Sequence, residues 1–142
     1  MKTKCIWFFM CFCVGIISSC KSVSVFKVQD LSGKWTIVSV KDEKVELQNM
    51  PFLEFDVTAK RVHGNAGCNM LNAGFETDVK DATAIKFIAP VTTMMACIQG
   101  METEAKILQA INAVSNVKKG DNPNQVKLLD KAGNTLIVLN KP

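Results

Sequence analysis

A chain of 142 residues, 48% hydrophobic and 21% charged, has the length and apolar content of one compact unit with a short extra segment. Its 17 basic side chains against 13 acidic ones give a net charge of +4. The basic residues are scattered, with a short pair at Lys118 and Lys119, which excludes the basic stripe of a nucleic-acid-binding domain.

Residues 1–19 begin with Lys2 and Lys4, run through an apolar stretch from Cys5 to Ile17 and end in small residues. These are the three parts of a secretory signal peptide. The apolar run is shorter than the about 20 residues a membrane-spanning helix needs, so cleavage is expected. Ile17, Ser18 and Ser19 directly before Cys20 resemble the bacterial lipobox, with isoleucine where leucine is commoner. That resemblance implies a diacylated thiol on Cys20, cleavage just ahead of it, and a membrane partner reached through the lipid anchor. More than one acyl chain is needed because a single chain holds a protein only marginally. Lys21 stands where an aspartate would favour inner-membrane retention, which points to the outer membrane, facing the periplasm. Removal of Lys2 and Lys4 leaves 15 basic against 13 acidic side chains, a balance of +2, so the whole-chain pI of 8.8 overstates the basic character.

Residues 20–30 are short, mixed and without periodicity, which reads as a tether, and residues 31–142 read as the folded domain. Gly33 to Lys41 alternates Trp35 and Ile37 with polar neighbours, and Leu53, Phe55 and Val57 alternate with Glu54 and Asp56; both are predicted strands. Further short runs follow at RVHGNA, GFETDV, TAIKFI, NQVKLLD and TLIVLN, separated by turn-forming TAKR, KDA, GDNPN and KAGN. Strands this short and this closely spaced predict an antiparallel sheet or barrel. One segment differs. Met101 to Val114 places Ile107, Leu108, Ile111 and Val114 on one helical face, with Met101 and Ala105 at its edge and Glu102, Lys106, Gln109 and Asn116 opposite. Gly100 is the expected N-cap, and Glu102 and Glu104 fall in the first turn, where the helix dipole favours acidic groups. The fold class is therefore mainly β (α+β), a curled antiparallel sheet or partly open barrel with one packed amphipathic helix.

Of six cysteines, Cys5, Cys11 and Cys13 leave with the signal peptide and Cys20 takes the lipid, so Cys68 and Cys97 remain. An oxidising compartment favours a disulfide between them over two buried free thiols. A bridge closing 29 residues of chain is worth about 3.6 kcal/mol by loop entropy.

Four stretches, LSGKWTI, GNAGCNMLNAGFE, TTMMACIQGMETEAKILQAI and VKLLDKAGNTLIVL, resemble in order the META domain, the HslJ-like family of bacterial envelope proteins, over about residues 31 to 140. The most specific parts are Gly67-Cys68-Asn69 and Thr93-Met94-Met95-Ala96-Cys97 ahead of the acidic helix. The resemblance implies a small β domain curled toward a barrel and closed by one helix, in exported proteins linked with heat-shock or drug-stress phenotypes, without an established enzymatic activity. Met70-Leu71 stand where the family often has an aromatic, and Ile98 where it often has proline.

Chemistry-bearing residues are few. Cys97 lies near a helix start, where a thiol can be acidified, and His63 is the sole histidine. His63 reads as a half-exposed strand residue with no group placed to orient it. His63, Cys68, Met70, Met94, Met95, Cys97 and Met101 are soft ligands that suit monovalent copper, but no CxxC or compact methionine array gathers them, and methionine commonly fills irregular core gaps. Glu54 and Asp56 read as water-facing, Gly64 and Gly67 form no phosphate cradle because a strand follows them, and Asn69 reads as a local backbone brace. No catalytic residue, cofactor or metal is expected. The expected function is a non-catalytic envelope lipoprotein that contacts an envelope protein or an apolar ligand, with a copper or redox protein built on Cys68, Cys97 and the methionines as the alternative.

Overall fold

A computed structural model of the protein describes residues 25–142. The signal peptide and Cys20 lie outside the described residues. Among the described residues nine strands, all antiparallel, follow in chain order: β1 Gly33–Val40, β2 Glu43–Lys44, β3 Phe52–Asp56, β4 Arg61–Asn65, β5 Met70–Thr77, β6 Ile85–Thr92, β7 Asn116–Lys119, β8 Gln125–Leu129 and β9 Thr135–Asn140. The helix α1, Met101–Ala113, stands between β6 and β7. Across the sheet the order is β6-β5-β4-β3-β1-β9-β8-β7, with β2 folded back on β1.

The sheet curls until its two edge strands meet at one place only. Ile85 N–H donates to Ser115 O and Val117 N–H to Thr83 O, each at 2.9 Å, around a single bridge between Ala84 and Asn116. Among the described residues the rest of β6 pairs with β5 alone, so the barrel is not closed. Pro90, which lacks an N–H, sits on that edge where no ladder bond is lost, and a register shift between Asn72 and Gly74 accompanies Ala89 in the left-handed region.

Alternation explains the core. Trp35 and Ile37 of β1, Leu53 and Phe55 of β3, Leu71 and Phe75 of β5 and Leu128 of β8 all point into the curl and are buried. Phe55 stacks at its edge on Phe75, with centroids 6.0 Å apart. Helix α1 packs its Ile107, Ala110 and Ile111 against β1, β6 and β9 and closes the interior. Leu108, expected to be fully buried, is only partly so, while Met101 and Ala105 are exposed.

Three expectations need correction. The tether ends earlier than residue 30: Val28–Leu31 form a 3-10 helix whose Val28 and Leu31 are buried, Leu31 O accepts from Trp35 Nε1 at 2.6 Å, and Phe26 packs edge-on against Trp35. Hydrophobic side chains at every second or third position from Phe26 were too short a run to show periodicity. The GFETDV strand starts at Met70, and Asn116, expected opposite the apolar face of the helix, is instead the first residue of the edge strand β7, Asn116–Lys119.

Candidate functional site

The family-like stretches converge on one structure, the junction of the β4–β5 loop, the β6–α1 loop and the first turn of α1. Cys68 and Cys97 are joined in a disulfide with Cα atoms 5.8 Å apart. Cys97 precedes α1 by four residues, as the sequence places it, but as a staple it carries no free thiol. The bridge ties the loop of Thr93–Gly100 to the loop that follows β4.

Beside the bridge lies a polar knot. Asn69 is buried, and its side chain uses every bond it has: Oδ1 accepts from Met95 N–H at 2.7 Å and Thr93 Oγ1 at 2.8 Å, while Nδ2 donates to Glu104 Oε1 at 2.9 Å and Met95 O at 3.2 Å. The backbone N–H groups of Asn69 and Cys68 both donate to Glu104 Oε2, at 2.5 and 3.3 Å. Asn69 is thus a brace between three segments and not a local one, because the residues it reaches are 24 to 35 positions away. Among the described residues no buried side-chain polar atom lacks a partner, which is the condition under which such a network rigidifies a core.

Glu104 is the residue that sequence reasoning assigned only to the helix dipole. Its 9% exposure places it in the core face of α1, one turn before Ile107. The signal was present, since positions 104, 107, 111 and 114 share the helical stripe. A carboxyl group on an otherwise apolar stripe marks a buried polar contact.

Two glycines let the segments meet. Gly67 and Gly100 both sit at positive φ, +122° and +90°, and a Cβ on Gly67 would lie 2.8 Å from Gly100 O. Gly100 is the N-cap of α1, as expected, and Glu104 N–H returns to its carbonyl at 2.8 Å. On the solvent side of the helix, Lys106 bridges Glu43 at 2.6 Å and Glu102 at 2.9 Å; these hydrogen bonds, Glu43 first, raise its ammonium pKa above the ordinary lysine value.

The knot fixes an apolar surface. Met94 and Ile98 are fully exposed, at 100% and 105% of the reference area, and Met95 of the same loop, Met70 of β5, Val91 of β6 and Met101 of α1 are exposed as well. The expectation that these methionines fill the core is therefore wrong: the loop turns their side chains outward while Asn69 takes the backbone groups inward. His63 stands on the outer face of β4, half-exposed, with Nε2 3.4 Å from Glu54 across the strand pair. Thiolate ligands and a thiolate nucleophile both require the bridge to be open.

A family model described as the META domain matches residues 29–142. The chain belongs to the META domain family. Two solved structures share the META domain's fold here. An NMR structure of a protein from Burkholderia xenovorans superimposes with a TM-score of 0.62 at 17% identity, over 80% of this chain and 85% of that one. A second NMR structure gives a TM-score of 0.56 at 16% identity, over 78% of this chain and 89% of the other. A comparison with curated proteins finds no match. The Gly67-Cys68-Asn69 and Thr93–Cys97 stretches that carry the family resemblance are the two loops that meet in this META domain's knot.

Proposed function

We propose that this META domain protein is a non-catalytic lipoprotein of the cell envelope, anchored through Cys20 to the outer membrane and facing the periplasm. Its stapled loop presents Met94, Met95 and Ile98 to an apolar surface on another envelope protein under stress conditions. The observation that carries this reading is the full exposure of Met94 and Ile98 on a segment held by a disulfide and three hydrogen bonds to the Asn69 side chain. Large apolar side chains exposed together mark interaction surfaces. Holding them in advance lowers the ordering cost of binding. Small ligands favour concave sites, and these side chains protrude, so a protein partner fits better than a small apolar molecule.

The test has two arms. Cys20→Ala stops incorporation of labelled palmitate and leaves unprocessed precursor if the anchor reading holds; continued labelling contradicts it. In chemically crosslinked envelopes, Met94→Asp with Ile98→Asp removes the adducts formed by the native chain without moving its thermal midpoint. Adducts that persist in the folded double variant contradict the partner surface.

A further inference from the structure

We infer that the seam between β6 and β7 faces the membrane, and that the groove beside Phe26 seats anionic phospholipid headgroups there. The inference rests on the lipid-anchor reading of Cys20.

The first ground is reach. Val25, the first described residue, lines this groove, and Cys20 is five positions before it. Five residues span at most about 18 Å when fully extended. A domain tethered so closely cannot turn its far side to the bilayer, and the seam is the side where the tether enters. The curl of the sheet places β3 and β1 midway along the strand order, across the barrel from the edges β6 and β7. One face is therefore held near the lipid and the opposite one away from it.

The second ground is charge. The groove, of about 590 Å³, has an apolar floor that includes Phe26, Val117 and Leu129 and a rim of Lys118, Lys119 and Lys131. Among the described residues none of these three ammonium groups is paired with a carboxylate, whereas Lys44, Lys106 and Lys127 elsewhere on the surface are. The one acidic lining residue, Asp130, stays ionised, because hydrogen bonds from the Asn134 side chain and backbone and from Ala132 N–H, all at 2.9 Å, hold its carboxyl below the usual range, so the lining sets three ammonium groups against one carboxylate. Uncommitted lysines over an apolar floor match the layout of a bilayer interface, with phosphates outside and acyl chains beneath. Basic groups near an anionic leaflet are attracted to it, and the attraction falls off within a Debye length, so only a face held close gains from it.

The test uses the full chain, processed in its host and reconstituted into vesicles of phosphatidylethanolamine with phosphatidylglycerol that carry a headgroup-attached quencher. A fluorophore is placed at Lys118→Cys or, for comparison, at Glu54→Cys on the outer face of β3. Quenching severalfold stronger at position 118 than at 54 is expected, together with loss of that difference in Lys119→Glu, Lys131→Glu protein and in vesicles without anionic lipid. Protein that floats with the vesicles but is quenched equally at both positions overturns the inference alone. A difference that survives both the charge reversal and the neutral lipid overturns the headgroup-seating claim. Protein that fails to float overturns the anchor reading and this inference with it. A thermal midpoint matching the parent chain shows that the charge-reversed protein is folded.

Discussion

Asn69 and Glu104, 35 residues apart in sequence, are held together by two hydrogen bonds, from Asn69 N–H to Oε2 and from Asn69 Nδ2 to Oε1, in a site where both residues are buried. The pair joins the loop after β4 to the first turn of α1 without any ladder bond between those elements. Glu104→Ala leaves the donors of Cys68 and Asn69 without their acceptor and should cost about 3 kcal/mol, since each buried donor left unpaired costs roughly 1–3 kcal/mol. Glu104→Gln keeps one acceptor oxygen but turns an amide donor toward another donor, so it should cost less than alanine. Denaturant unfolding of both variants measures this, and midpoints equal to that of the native chain would contradict the role given to Glu104.

The bridge between Cys68 and Cys97 should protect both sulfurs in protein taken directly from the envelope. Denatured without reductant and treated with an alkylating reagent, the chain should take up no label at either position. The double variant Cys68→Ala, Cys97→Ala should lose about 3.6 kcal/mol of stability from the 29-residue loop it opens. Full labelling of both thiols would bring the copper and redox reading forward.

Gly33 and Gly67 separate backbone strain from crowding. Both have positive φ, but a Cβ on Gly33 meets nothing within 4 Å, whereas one on Gly67 runs into Gly100 O. Gly33→Ala should cost about 1–2 kcal/mol, the penalty of a left-handed conformation. Gly67→Ala should cost clearly more because the two loops must also move apart. Equal losses in thermal unfolding would mean that the close approach of Gly67 to Gly100 does not constrain the knot.

Ile107 is wholly buried and Leu108 only partly, so the two neighbours should respond differently to truncation. Ile107→Ala should cost about 2–5 kcal/mol, the usual range for a buried aliphatic residue, and Leu108→Ala less. A larger loss at Leu108 than at Ile107 would show that the helix is rotated about its axis relative to this account.

Much of this architecture was legible in the order of residues, for stated physical reasons. Alternation in FLEFD and TLIVLN revealed strands with one buried face, and the stripe of Ile107, Ile111 and Val114 revealed the face of α1. The pairing of Cys68 with Cys97 followed from elimination and compartment. What escaped was information held between segments. Asn69 and Glu104 are ordinary loop and helix residues until the fold brings positions 35 apart in sequence together. Met94 and Met95 look like core residues by chemistry, and only the inward turn of Asn69 toward the backbone of their loop sends them outward. Strand β7 was missed because NVKK has a single buried side chain, Val117, and an edge strand needs little more.

Contact at Ile98 is the most direct test of the claim that the stapled loop is a partner surface. A photoreactive residue is introduced at Ile98 or, for comparison, at Glu54, and cells are irradiated with the protein in its native envelope. The account predicts a discrete protein adduct from position 98, none from position 54, and loss of the position-98 adduct when Met94→Asp is added. No adduct at 98, or the same adducts from both positions, would contradict it.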